Sequence, residues 1–180
     1  NLGLAKKDYD EILLPVFCSL LNTHTRGNSV YFIHMMGSHV QYANRYPEVW
    51  DFYKEDDYAS FPENQRKILS AYDNSIRYND SVVFSLIEMA KAKESIVLYF
   101  PDHGQDIFQT DPLYCGHARN FDNQSYEIGT SIPFLIYCTA SYREKFPEIY
   151  NTLVSMNDQP FNTSDFIPFL LQTCNLTVSE

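Results

Sequence analysis

Nowhere do the 180 residues hold an unbroken apolar run of the roughly 18–20 residues that a helix needs to cross a bilayer. The longest apolar stretches are interrupted by proline or polar residues, as in Ile132–Cys138 with Pro133 inside it. Any membrane anchor is therefore expected outside this sequence. No Met and no signal-peptide pattern opens the chain, and Asn1-Leu2-Gly3-Leu4-Ala5 reads as a processing boundary. Cysteines are few: Cys18, Cys115, Cys138 and Cys174 form no C-x-x-C pair, which argues against a structural zinc knuckle. Cys18, in an apolar helical pattern, and Cys138, ending an apolar strand, read as small buried residues. Basic residues are also short, 13 Lys and Arg against 23 Asp and Glu, giving a net charge of −10. That argues against a general nucleic-acid binder, which needs cations for the phosphate backbone. A local site can still take phosphate if a metal supplies positive charge.

What is present is a core-forming composition. Hydrophobic residues make up 44% and aromatics 16%, enough for one domain or a large part of one. Ile12, Leu13, Val16, Phe17, Leu20 and Leu21 recur at helical spacing within 8–22, with Pro15 kinking that helix or lying near its start. Ser29–His34 reads as a buried strand leading into Met35-Met36-Gly37-Ser38-His39, a glycine turn. Residues 41–62, rich in Tyr and acids, read as a long surface excursion. The clearest helix is 63–93, with a stripe of Ile68, Tyr72, Ile76, Val83, Ile87 and Ala90. Ser95–Phe100 reads as a second buried strand, followed at once by Pro101-Asp102-His103-Gly104. Residues 105–130 look polar and irregular. Ile132–Cys138 reads as a third strand, and 141–155 and 163–174 as closing helices, the second capped by Thr163 or Ser164. Strands alternating with helices predict a layered α/β fold with a mainly parallel sheet, incomplete at three strands.

In an open α/β sheet, ligands bind beyond the carboxyl ends of strands. Two strands here end in turns carrying such chemistry: one delivers His34 and His39, the other Asp102 and His103. A carboxylate oxygen and an imidazole nitrogen are both good zinc ligands. Neighbours in a strand point to opposite faces, so both reach one ion only where the strand has ended, as the flanking Pro101 and Gly104 suggest. Against this stands a solvated turn dipeptide, since Asp-His-Gly alone is a weak signal. His39 can meet phosphate or a second ion. His34, His39 and His117 can equally be histidines satisfied by backbone hydrogen bonds.

The ordered set His34-Met35-Met36-Gly37-Ser38-His39, Tyr46-Pro47, Tyr72-Asp73-Asn74-Ser75 with Tyr78 and Asp80, and Asp102-His103-Gly104 carries a resemblance over nearly the whole chain. It resembles the catalytic domain of bacterial phosphoethanolamine transferases, of the sulfatase and alkaline-phosphatase-like superfamily. Gly116-His117-Ala118-Arg119-Asn120 with Asp122-Asn123 is most similar to the branch acting on core heptose. The resemblance implies an alkaline-phosphatase-like fold, of which residues 1–180 are the C-terminal part. It implies Zn2+ held by Asp102 and His103, with His39, His117 and His34 on the substrate side. Tyr72, Asp73 and Asn74 are expected to be structural.

The family's nucleophile is a Thr expected upstream of Asn1. Thr23 and Thr25 lack its context and are not assigned the role, and Gln105 stands where the family has Glu. Alone, the piece is expected to hold half of one zinc shell and to turn over nothing. The implied reaction moves phosphoethanolamine from a phospholipid donor to lipopolysaccharide through a Thr-linked intermediate. It places the site on the periplasmic face of the inner membrane. A sulfatase or phosphodiesterase of the same superfamily, and a non-catalytic binding domain with this fold, are the alternatives.

Overall fold

The computed structural model describes residues 8–23, 27–117 and 123–174, which fall into two units. The first combines the chain up to Met89 with Pro101–Ile132; the second combines Ala90–Phe100 with the chain from Pro133.

In the first unit a 3-10 turn, Asp10–Ile12, runs into helix α1, Leu13–Thr23. Pro15 falls in the first turn of α1, where no intrahelical N–H bond is lost, so it starts the helix without kinking it. Phe17 is buried, with Leu14 and Leu21 packed on the same face. Cys18 is exposed, contrary to expectation, because that face excludes it. Helix α2, Glu63–Ala90, is close to the expected span. Of the expected stripe, Val83 and Ala90 are buried, Ile68, Tyr72 and Ile87 half-buried and Ile76 exposed; Tyr78, Val82 and Leu86 of the same helix form a core with Phe17 and Tyr46. The buried face also carries Asn74, Ser75 and Asn79, polar residues that a hydrophobic stripe does not mark.

Asn74, fully buried, explains the excursion at 41–62. Its Oδ1 accepts the N–H groups of Phe52 and Tyr53 at 3.0 and 2.8 Å. Its Nδ2 donates to the Asp51 carboxylate at 3.0 Å and the Tyr53 carbonyl at 2.9 Å. This pins three 3-10 turns, Tyr42–Asn44, Glu48–Trp50 and Glu55–Tyr58, instead of leaving a loose surface loop; Tyr42 and Tyr46 are buried.

Residues 29–34 form no ladder among the described residues, contrary to the expected strand. They keep its alternation: Tyr31, Ile33 and Met35 pack on the core while Val30, Phe32 and Met36 are exposed, Phe32 by 77%.

In the second unit β1, Ile96–Tyr99, pairs with β4, Leu135–Cys138. The pair is antiparallel, Ile96 opposite Cys138 and Tyr99 opposite Leu135. Back in the first unit, β2, Asp106–Ile107, and β3, Cys115–Gly116, are antiparallel too. The expected mainly parallel sheet is therefore not what the described residues show. A parallel pair needs a crossover that returns the chain to the same end of the sheet, and the longest helix among the described residues, α2, precedes β1. Helix α3, Asn123–Thr130, follows the β2–β3 hairpin, so 105–130 is more regular than expected.

In the second unit Thr139 caps helix α4, Ala140–Lys145, accepting from Tyr142 N at 3.3 Å. Pro147 then opens α5, Pro147–Ser155, splitting one expected helix in two. Asn162, not Thr163 or Ser164, caps the 3-10 turn Thr163–Asp165 that leads into α6, Phe166–Thr173.

Candidate functional site

Both chemically loaded turns lie in the first unit. The glycine turn is held from below by Asp10, whose carboxylate accepts Met36 N–H at 2.9 Å and Gly37 N–H at 2.7 Å. Gly37 sits at φ +56°, a left-handed conformation that a side chain disfavours. His39 emerges from this turn half-buried. His34, at the other end, is exposed and joins no ring contact with the remaining histidines of the site.

The second turn is fixed by close backbone approach. Gly104 N donates to the Gly129 carbonyl at 2.8 Å, and a Cβ on Gly104 would meet the Ile128 carbonyl oxygen at 1.9 Å. Glycine is thus required here by the end of α3. Next to it, His103 Nδ1 lies 2.8 Å from the Gly104 carbonyl. A carbonyl only accepts, so Nδ1 carries the proton and Nε2 keeps its lone pair free, the arrangement of a metal-binding imidazole. Nε2 is 3.7 Å from Asp102 Oδ1. Ligand bonds of about 2.0–2.2 Å at tetrahedral angles set two donors about 3.3–3.6 Å apart, so the pair fits one zinc ion after a small closure. The Asp102 side chain is 86% exposed, His103 28%. Among the described residues no group of three or more His, Cys, Asp or Glu is arranged to hold a metal. Asp102 and His103 are thus a pair of groups with the chemistry and spacing of two metal ligands.

The β2–β3 hairpin returns the chain to this turn. Asp106, fully buried, accepts Gln109 N at 2.8 Å and the Thr110 hydroxyl, which closes the loop before β3. Tyr114 Oη donates to the His117 carbonyl at 2.8 Å. Tyr42, its phenol pushed well above the ordinary value mainly by burial, stays neutral and donates to Gln105 Oε1 at 3.1 Å. His117 is thereby set against both turns, its ring centroid 4.0 Å from that of His103 and 5.7 Å from that of His39. Partial desolvation, then the neighbouring His103 and His39, hold the His117 imidazole below its ordinary range, with Asp102 pulling the other way. Three histidines and a carboxylate thus share one corner. That constellation can bind a divalent cation and donate to an oxyanion beside it.

The comparisons decide the family. Residues 2–176 match the Sulfatase family. The chain belongs to it. This sulfatase-family chain is 31% identical to the phosphoethanolamine transferase EptC of Escherichia coli K12, over 89% of its own length and 28% of that protein. It is 30% identical to the phosphoethanolamine transferase EptA of Helicobacter pylori, over 76% of itself and 27% of that protein. It superimposes, at TM-score 0.68 and 29% identity, on the crystal structure of the C-terminal periplasmic domain of EptC from Escherichia coli in complex with Zn, covering 82% of this chain and 42% of that one. The chain spans less than a third of the curated relatives' length. The alkaline-phosphatase-like fold expected from the resemblance is the one found, in part.

Of the predicted site residues, the structure brings together Asp102, His103, His39 and His117 and leaves His34 outside. Ala118, Arg119, Asn120 and Asp122, which carried the resemblance to the core-heptose branch, lie outside the described residues, as does Thr25. Thr23 donates its hydroxyl to the Ser19 and Leu20 carbonyls at 3.0 and 3.2 Å, as a helix-end residue does. Sequence reading missed Asp10 and Arg45, the residues that hold the glycine turn. No spacing announces either of them.

Proposed function

We propose that the chain is the C-terminal part of one catalytic domain of a zinc-dependent phosphoethanolamine transferase. The nucleophilic Thr and the remaining zinc ligands come from the upstream part of that domain. The observation that carries this reading is the single cluster of His39, His103 and His117 beside Asp102.

Asp102 and His103 would hold the zinc, His103 through the free Nε2. When bound, zinc lowers the pKa of a nucleophile and screens charge on phosphoryl oxygens. His39 and His117 face the same corner, where imidazole N–H groups bind a non-bridging phosphoryl oxygen. His34 keeps at most a peripheral role in substrate binding. The donor is a phospholipid with a phosphoethanolamine head group and the acceptor a lipopolysaccharide. Similarity to a periplasmic domain supports a periplasmic position, reached by an anchor elsewhere, since no helix among the described residues is long and apolar enough to cross a membrane.

The test is transfer of a labelled head group from phosphatidylethanolamine vesicles to lipopolysaccharide by the protein with its upstream portion. His103→Ala should lower the rate by about 100-fold or more, as expected when a metal ligand is lost. Label released only to water would point to a phosphodiesterase. Metal-free protein with no turnover would point to a binding domain.

A further inference from the structure

Arg45 follows His39 by six residues, just after the 3-10 turn Tyr42–Asn44, and spends its guanidinium on the His39 turn. Nε donates to the His39 carbonyl at 3.1 Å and Nη2 to the Val40 carbonyl at 2.9 Å. Those two bonds orient the planar fork, and the same Nη2 lies 3.5 Å from His39 Nδ1. A guanidinium has donors and no lone pair, so the nitrogen facing it is the unprotonated one. At 3.5 Å the hydrogen bond is long and weak in itself. The fixed positive charge nevertheless acts in the same direction, because a proton on Nδ1 would set two donors face to face.

The geometry points to Arg45 as a positioning residue that fixes His39 in its Nε2–H tautomer, so that His39 presents a hydrogen-bond donor to a phosphoryl oxygen and no lone pair to a cation. This rests on the reading of His39 as a substrate-side residue. His103 is fixed the opposite way, with its proton on Nδ1 against the Gly104 carbonyl. One backbone carbonyl and one guanidinium therefore divide two histidines of the same corner between cation and oxyanion. Sequence alone does not separate them, since both are histidines beside a glycine turn.

The experiment reads the tautomers directly, by long-range 15N–1H correlation of the imidazole nitrogens in the zinc-free protein at a pH where the rings are neutral. His39 should show a protonated Nε2 and a bare Nδ1, and His103 the reverse. In Arg45→Met the His39 proton should spread to both nitrogens and shift the Nδ1 signal towards the protonated position, while the His103 pattern stays put. A wild-type His39 protonated on Nδ1, or a spectrum unchanged in Arg45→Met, overturns the proposal. If Arg45→Met does not fold, Arg45→Lys keeps the charge but not the fork and should give a smaller shift of the same sign; no shift overturns the proposal. The tautomer is read without metal or substrate. A failed transfer assay and a wrong tautomer are therefore separate results.

Discussion

Asp10 holds Gly37 across 27 residues of chain, its Oδ2 accepting the glycine N–H at 2.7 Å while Oδ1 takes that of Met36. The residue that opens the first helical turn thus shapes the turn from which His39 emerges. Charge-assisted hydrogen bonds of this kind are the strong ones. Asp10→Ala should cost roughly 1–3 kcal/mol, because two N–H groups lose a charged acceptor. Urea unfolding measures the loss, and broadening of the His39 imidazole signals should accompany it.

Gly104 answers to a different constraint. An added Cβ would stand 1.9 Å from a backbone oxygen of α3, which no side-chain rotation relieves. Gly104→Ala should therefore cost about 3 kcal/mol or more and displace His103, by the overpacking penalty for a rigid neighbour. Thermal unfolding reads the first effect. Weakened zinc binding, with Asp102 and His103 still present in sequence, reads the second.

Much of this site was legible because its signals are local. Asp102-His103-Gly104 and the glycine turn ending at His39 are short strings whose chemistry is evident from residue type. The pairing of strands was not legible. Ser95–Phe100 and Ile132–Cys138 announce themselves as strands, but the direction in which they pair depends on the path between them. That path proved to be a hairpin with two-residue strands and a short helix, too brief to show periodicity. The hairpin is nevertheless what brings His117 to His103. His34 shares a motif with His39 but ends on the exposed side of an alternating segment, a difference that the motif itself does not carry.

Asn74 ties α2 to the segment before it through four hydrogen bonds. Its side chain serves the Phe52 and Tyr53 N–H groups, the Tyr53 carbonyl and the Asp51 carboxylate. Asn74→Ala should cost about 3 kcal/mol, since buried backbone donors are left unpaired. Asn74→Asp should be no rescue, because it places a second carboxylate against Asp51. Guanidinium unfolding of the two variants checks both statements.

His117 gives the zinc-free protein a pH dependence of known sign. Its pKa is depressed in the folded state, so the unfolded chain binds the proton more readily. The stability it contributes is present above the unfolded value of about 6.5 and is lost as pH falls from there through the folded pKa. His117→Gln should flatten the stability profile in that window. An NMR titration of the zinc-free wild type should place His117 below the ordinary imidazole value of about 6.5.

The central claim is that Asp102 and His103 jointly hold zinc. The most direct measurement is an anomalous difference map at the zinc edge, from crystals of the protein with its upstream portion grown in zinc. The account predicts a peak bonded at about 2.0–2.2 Å to both Asp102 Oδ1 and His103 Nε2. A peak on other residues alone, or none in this corner, would contradict it.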